Sequence, residues 1–439
     1  MTSLDVVVGR ALRLVVPSTS EQILARKLAR FTLERTRTAA RDHVEVRGVV
    51  LGGSYAKGTW LPGKADIDIF LRIARSTPQA RFEKIGLGVG AKALAGYPTG
   101  KKYAQHPYTE GIVRGVKVNI VPCYAVAKGK WKSAADRSPF HVRLVRQLPQ
   151  DLKDQVRLLK QFMIGVGVYG AEIETQGFSG YVAEVLILRH RTFEGVLAHF
   201  AGFKPASKER LFSLPDPVDP SRDLGVAVSA EKLGTLVLAA RSFLKKPAEA
   251  YFAGAQPRVR SALGRLVVAL TFDHVELSED ILWGELRRSL RHFVRHVEEK
   301  GFKIARSMAV SNNSNTSAFL FLPEVESLPS LEQRTGPGVE LQEEVNRFVA
   351  SNRGRARLFW VDEEGRLRLI QRRDDTSLKV LLATMAKSGS RSTGASADVA
   401  RGLRRSARVL EGERLKSAKN PAWLTKGVER IVSDAIGAG

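Results

Sequence analysis

Asp66 and Asp68 stand two residues apart in the apolar run "ADIDIFLRI", separated by eleven residues from the Gly-Gly-Ser turn of "VVLGGSYAKGTW". Side chains on a strand alternate between faces, so both acids project from one side, roughly 7 Å apart at Cα. Carboxylates that close repel each other unless a cation sits between them, and an oxygen-rich, highly charged site suits Mg²⁺, which also takes phosphate oxygens. Upstream, Gly52 and Gly53 let the backbone pass close to a triphosphate. Amides at the start of the following helix and the Ser54 hydroxyl can reach its oxygens, and Lys57 lies about one helical turn further on. The chemistry such a set would perform is nucleotidyl transfer. Taken singly, Gly-Gly-Ser is a common loop, Asp-x-Asp a common strand edge and Lys57 a solvated cation. The specificity lies in the combination: strand, turn, acid pair, and a further strand about fifty residues on.

These residues need a sheet to hold them. A capping-box spacing, Ser18 and Glu21, opens a first helix in "VPSTSEQILARKLARFTLERTRTAA". The strand "HVEVRGVVLGG" follows, then a short helix near Tyr55–Leu61, the acid-bearing strand, and a helix in "RSTPQARFEKIGLGVGAKAL". Paired strands in "YAQHPYTEGIVRGVKVNIVPCYAV" close at Pro122. This gives a mixed first domain over residues 1–147. From "LPQDLKDQVRLLKQFMIGVGVYGAE" the pattern is helical to about Asp280, a central domain over 148–280 interrupted by the Pro-rich "SLPDPVDPSRDLG". The remainder, 281–439, contains strands in "GFKIARSMAVSNNSNTSAFLFLPEVESL" and an Arg-bearing hairpin in "RARLFWVDEEGRLRLIQRR" turning at Asp362–Gly365. A connector by composition, Ser388–Ser396, leads to a Lys/Arg-rich helical tail.

The chain has 439 residues, enough for two or three domains, and 44% apolar with 26% charged residues is a globular profile. Its net charge of +25 calls for an acidic partner, most naturally a nucleic-acid backbone. The single Cys123 excludes an internal disulfide and a Cys-rich zinc site and fits a reducing, cytoplasmic setting. "MTSLDVVVGRALRLVV" is broken by Asp5, Arg10 and Arg13 and makes a poor signal peptide, and no apolar run is long enough for a membrane span. His292 and His296 flank an apolar stripe of Leu286, Leu290, Phe293 and Val297, which reads as a solvated face and not a metal site.

The motifs together resemble the DNA polymerase beta superfamily of nucleotidyltransferases and, within it, the archaeal class I CCA-adding enzymes. The similarity covers most of the chain: "PSTSEQ", "LGGSYAKGTWLPGKADIDIF", "YAQHPY", "VPCY", "DRSPFH", "VRLLKQFMIGVGVYGAE", "GFSGYVAEVLI", "DPVDPSRD" and, less specifically, "RTGPGVEL". It implies an α+β multidomain protein: a polymerase beta-like catalytic head, a helical neck, an α+β body and a basic helical tail. It also implies Mg²⁺ dependence, a homodimer, CTP and ATP as substrates, and a grip on the tRNA acceptor arm. Carried over by motif, Gly53, Ser54 and Lys57 would contact the incoming nucleotide. His141, Lys160 and Tyr169 would hold it at phosphates and sugar, and Arg222 would help read the base edge. Without the resemblance, Lys160 and Tyr169 would be packing or surface positions, His141 a locally satisfied helix-start residue and Arg222 a loop cation. A poly(A) polymerase-like transferase shares the same core, but "RLLKQFMIGVGVYGAE" and "GFSGY" favour the CCA-adding enzyme.

One position departs from the family pattern. Where a third carboxylate is expected, "VKVNIV" has Asn119. Alternation places it with Lys117 and Val121 on the face opposite Val116, Val118 and Ile120, hence beside Asp66 and Asp68. In a two-metal mechanism one ion carries the triphosphate and the other activates the 3′-hydroxyl, and the third carboxylate serves the latter. An amide can ligate an ion but brings no charge and takes no proton. The expectation is a nucleotide-bearing ion held by Asp66 and Asp68, a weakly held second ion, and slowed chemistry. A low-activity enzyme, an altered tRNA-binding copy of an active one, and a carboxylate supplied from elsewhere remain the three explanations.

Overall fold

In the computed structural model, which describes residues 3–103, 105–205, 207, 211–253, 259–260, 262–388 and 394–434, the chain forms two compact units divided at 256/257. Most of the Ser388–Ser396 connector lies outside the described residues.

The first unit opens with α1 (Ser3–Val15) and α2 (Thr19–Ala40). The capping box forms as the sequence predicts: Ser18 Oγ accepts from the Glu21 amide and Glu21 Oε2 accepts from the Ser18 amide at 2.8 Å. β1 (Val46–Gly52), α3 (Gly53–Lys57), β2 (Ile67–Ala74), α4 (Gln79–Ala93), β3 (Thr99–Tyr103), β4 (Pro107–Val113) and β5 (Val116–Ala125) follow. They build a five-stranded sheet ordered β1-β2-β5-β4-β3, in which only β2 and β5 run parallel. One face is apolar: Ile67, Ile69, Leu71 and Ile73 of β2 and Val118 and Ile120 of β5 are fully buried against Phe82, Ile85 and Val89 of α4 and Leu28 of α2. Burying an aliphatic side chain of this kind contributes roughly 1.5–3 kcal/mol, so this packing fixes the register and with it the opposite, polar face.

Besides α1, which precedes the helix expected to be the first, three details differ from the sequence expectation. α3 is shorter and earlier than Tyr55–Leu61, because Gly58 at φ +75° ends it in the left-handed region. Asp66 precedes β2 and is not inside it. β5 runs through Pro122 to Ala125, because the pairing with β4 stops at Ile120 and leaves that flank open where proline lacks its N–H.

The rest of the first unit is helical: α5 (Ser138–Arg146), α6 (Gln150–Gly165), α7 (Gly180–His190), α8 (Phe193–Ala201), α9 (Ala230–Lys245) and the single turn α10 (Ala250–Ala253). Its core is aromatic, with Phe162, Phe193, Phe200 and Phe243 all fully buried. Ala11 and Val15 of α1 join this helical core and not the sheet core. The expected boundary at 147 falls in the turn between α5 and α6, yet the segments on either side form one compact unit.

The second unit contains β6 (Val268–Asp273), α11 (Glu279–Glu299), β7 (Ile304–Ser311), β8 (Thr316–Pro323), β9 (Leu331–Gly338), α12 (Gln342–Asn352), β10 (Ala356–Val361), β11 (Arg366–Arg372), α13 (Leu378–Ser388), α14 (Ala397–Ser406), β12 (Arg408–Glu411) and α15 (Ala422–Ile431). Its sheets are ordered β12-β6-β8-β7 and β10-β11-β9. The expected boundary at 280 lies inside this unit, because β6 pairs with β8 and β12. The predicted hairpin at Asp362–Gly365 joins β10 and β11. α11 buries Leu286, Leu290, Phe293 and Val297 and leaves His292 and His296 on its flank. Among the described residues no helix is long and apolar enough to cross a membrane.

Candidate active site

The Gly-Gly turn is built around the protein's own side chains. Gly52 pairs with Asp68 across β1 and β2, and a Cβ on Gly52 would lie 2.1 Å from the Phe70 ring. Gly53 adopts φ +62°, and a Cβ there would lie 1.7 Å from Asp68 Oδ2. Both positions therefore require glycine before any ligand is considered: the turn presses its backbone onto the Asp68 carboxylate. α3 begins at Gly53, and its N-cap Gly52 makes no side-chain cap hydrogen bond to its first amides.

Asp68 is partly buried, and desolvation pushes its carboxyl above the ordinary range, opposed by a hydrogen bond from Asn119 and by the charges of Lys57 and Lys117. Asp66, exposed at the rim, is also raised by desolvation of its carboxyl; Lys117 opposes the shift while Asp68 and Glu110 add to it. Asn119 lies beside Asp68 in the parallel register and donates from Nδ2 to Asp68 Oδ1 at 2.9 Å. Its other amide atom, Oδ1, is buried without a hydrogen-bond partner. Two desolvated carboxylates and an orphaned amide oxygen form an all-oxygen donor set of the kind hard divalent cations take. The residues fit such an ion, although among the described residues no three His, Cys, Asp or Glu side chains are arranged to hold one.

Behind this face, the candidate cations converge on a residue the sequence reading missed. Glu184 of α7 is fully buried: its Oε2 accepts from Lys57 Nζ at 2.7 Å, and its Oε1 accepts from Lys160 Nζ at 3.0 Å and Thr59 Oγ1 at 2.6 Å. Burial alone would raise the Glu184 carboxyl, but Lys160 and Lys57 outweigh it and hold the pKa at about 2. Lys160, completely buried, is pulled below the usual lysine range by desolvation, which Glu184 partly offsets. Tyr169 joins through Gly180, where a Cβ would meet the tyrosine hydroxyl at 2.7 Å and Lys160 Nζ at 3.5 Å. Burial raises the Tyr169 phenol, so it stays protonated as a donor.

A second node is Asp216, buried in the Pro-rich loop. It accepts from Tyr181 Oη at 2.9 Å, from His141 Nε2 at 3.0 Å and from the Val218 amide at 2.8 Å, with Arg222 Nη1 at 3.6 Å. Desolvation holds the His141 imidazole below its ordinary range, so at neutral pH it is neutral and donates a hydrogen bond to the Asp216 anion. That anion is kept at about 2: hydrogen bonds from His141 and Val218 overcome the cost of burial. Tyr181 links the two nodes: its ring stacks on His141 at 3.8 Å and takes Lys57 Nζ 4.9 Å from its centroid. The structure thus brings Ser54, Lys57, Asp66, Asp68, Asn119, His141, Lys160, Tyr169 and Arg222 into one connected region. In sequence, Glu184 is an acid inside the apolar "GYVAEVLI" and Asp216 an acid in a Pro-rich loop; their partners come from tertiary packing.

In the second unit, much of the hairpin's positive charge is spoken for. Arg368 pairs with Asp362, Arg373 with Glu332 and Arg355 with Asp374, while Arg366 reaches the Gly336 carbonyl.

Comparison with known proteins covers nearly all of these elements. Residues 33–141 match the model "Nucleotidyltransferase domain", 154–253 match "tRNA nucleotidyltransferase, second domain", and 263–412 match "CCA-adding enzyme, C-terminal domain". The chain is 36% identical to the CCA-adding enzyme of Pyrobaculum neutrophilum over 358 residues, 77% of this chain and 83% of that one. It is likewise 36% identical to the CCA-adding enzyme of Halobacterium salinarum over 372 residues, 79% of this chain and 81% of the relative. Among solved structures, the Cid1 RNA terminal uridylyl transferase aligns with a TM-score of 0.42 and 13% identity, over 55% of this chain and 93% of that one.

Proposed function

Because the chain belongs to the family of CCA-adding enzymes and is a nucleotidyltransferase, we propose that it adds C, C and A to the 3′ end of tRNA from CTP and ATP without a nucleic-acid template. The observation that carries this reading is the Asp68 carboxylate, pinned between Gly53 and Asn119 beside Asp66, on a head that opens onto the Lys57, Lys160, His141 and Arg222 network.

Nucleotidyltransferases of this type use divalent metal ions; our reading is that Mg²⁺ serves here and that Asp66 and Asp68 hold it. Bound there, the ion would neutralise phosphate charge and make the attacking hydroxyl more acidic. The residues of the chain do the rest. Gly53 and Ser54 face the triphosphate with backbone amides and a hydroxyl. Lys57 and Lys160, anchored on Glu184, set a positive field behind it, Tyr169 donates a hydrogen bond at the phosphates, and neutral His141, whose one N–H is held by Asp216, accepts one from a sugar hydroxyl. Arg222, exposed on its loop, meets the base edge. In the transfer, the tRNA 3′-oxygen bonds to the α-phosphorus, the bond to the β-phosphate oxygen breaks, pyrophosphate leaves with that electron pair, and the hydroxyl proton passes to solvent.

The tRNA acceptor arm would be gripped through its phosphates by basic segments of the second unit and its tail, so affinity should fall linearly in log–log terms with added salt. We also infer a homodimer in a cytoplasmic setting, which sedimentation at working concentration tests for the oligomer. The activity test is a product ladder on tRNA lacking its 3′ end, with CTP and ATP supplied separately and together. Two C additions with CTP alone, completed by A when ATP is present, support the reading; untemplated runs of A support a poly(A) polymerase-like transferase instead. Asn119 favours a second reading, a tRNA-binding relative without catalysis. Tight tRNA binding with no incorporation at any Mg²⁺ or Mn²⁺ concentration would select it.

A further inference from the structure

The face that carries Asp68 continues across two more strands. Asp68 of β2 is level with Asn119 of β5, and Asn119 is in turn level with Glu110 of β4. All three point away from the buried face, since Ile67, Ile69, Val118, Ile120, Thr109 and Gly111 occupy it. Neighbouring strands lie about 4.8 Å apart, so Glu110 stands roughly 10 Å from Asp68 at Cα, with the short Asn119 between them. A glutamate is one methylene longer than an aspartate and reaches over its shorter neighbour. Lys117 Nζ lies 3.8 Å from Glu110 Oε2, on the same face. That separation exceeds a hydrogen bond, so Glu110 is steered but not locked. Lys117 and Glu110 both act electrostatically on Asp66, which places them at the same cluster.

We propose that Glu110 supplies the carboxylate that position 119 lacks, as a metal ligand reached from the adjacent strand, with Asn119 reduced to holding Asp68 in place and offering its free amide oxygen. This inference rests on the proposed function, because it assigns a ligand to that site's ion. It accounts for two observations together: the orphaned Asn119 Oδ1 and an acid directly opposite it in register. Of the explanations the sequence left open, it selects a carboxylate supplied from elsewhere.

The test is Mn²⁺ binding to the full-length protein, followed by electron paramagnetic resonance of free Mn²⁺ with a non-hydrolysable CTP analogue present. It is run for wild type, Glu110→Gln, Asn119→Asp and the double variant. The wild type binds two ions; Glu110→Gln weakens the weaker of them by about tenfold or more. In the Asn119→Asp background the same change has little effect, because the carboxylate introduced on β5 takes over. Thermal melts of all four proteins check folding, and the coupling between the two positions is read whether or not either variant alters stability. Equal Mn²⁺ affinities in wild type and Glu110→Gln, or an equal loss in both backgrounds, overturn the inference while leaving the proposed function standing. Absence of any nucleotide-dependent Mn²⁺ binding in the wild type overturns both.

Discussion

Asn119 is level with Asp68 across the parallel pair of β2 and β5, and its amide Nδ2 donates to Asp68 Oδ1 at 2.9 Å. An aspartate at that position would set a second charge against Asp68; the amide instead orients it. The Asp68 carboxylate is therefore clamped from two sides, by an amide from β5 and by the Gly53 backbone from the turn.

Gly53→Ala should be far more damaging than Gly63→Ala, although both glycines have positive φ, +62° and +66°. At Gly63 a Cβ meets nothing within 4 Å and adds only backbone strain, about 1–2 kcal/mol. At Gly53 the Cβ collides with Asp68 Oδ2, so the carboxylate must move. Nucleotide-dependent Mn²⁺ binding should be lost in Gly53→Ala and kept in Gly63→Ala; equal retention would show that the turn does not position Asp68.

Asp68→Asn should raise the melting temperature at neutral pH in chelator-treated buffer. The folded pKa of Asp68 lies above its ordinary value of 3.8, so its contribution to stability is fully present below that value and lost as pH rises through the folded pKa. At pH 7 the ionised, desolvated carboxylate is thus a cost that asparagine removes. The advantage should disappear on acidification below about pH 4. Added Mg²⁺ should raise the melting temperature of the wild type only. A variant melting below wild type across the whole range would contradict this.

Glu184→Gln should destabilise the protein by about 3–5 kcal/mol in urea unfolding at pH 7, because it leaves the ammonium groups of Lys57 and Lys160 buried together without a counter-charge. In the wild type, Glu184 is held at about 2 against an ordinary 4.5. Its stabilisation is complete above pH 4.5 and is lost as pH falls toward 2, a dependence the glutamine variant should lack. Adding Lys160→Met to Glu184→Gln should recover part of the loss; no recovery would mean that the network is not charge-coupled.

Cys123, buried in β5, has its thiol pushed up to about 12 by burial, with the nearby Asp136 charge adding to it. It should resist Ellman's reagent in the folded protein and react at the rate of global unfolding, giving a direct reporter on the head. Rapid labelling under native conditions would mean that the head sheet opens locally.

The head is legible in the sequence because its signals are local. Ser18 and Glu21 announce a helix start three residues apart, the alternation in "VKVNIV" orients Asn119, and the Gly-Gly-Ser spacing marks a strand-to-helix bend. Asp66 lies just outside its strand because pairing with β1 ends at Asp68, a limit no pattern encodes. β6 is lost in a helical reading because "VALTFD" is a short apolar run without a period to distinguish strand from helix. Glu184 and Asp216 are invisible as hubs for a different reason. Their roles depend on lysines, a histidine and a tyrosine brought from 24 to 127 residues away, and burial of paired charge follows from tertiary packing alone.

In the proposed function Asp66 and Asp68 carry the reaction. The most direct measurement of that role is single-turnover incorporation of CMP into tRNA lacking its 3′ end, comparing wild type with Asp66→Asn and Asp68→Asn at matched tRNA occupancy. Incorporation by the wild type should depend on a divalent ion and should fall by about 10³-fold or more in each variant with tRNA affinity unchanged. Near wild-type rates in either variant would contradict it.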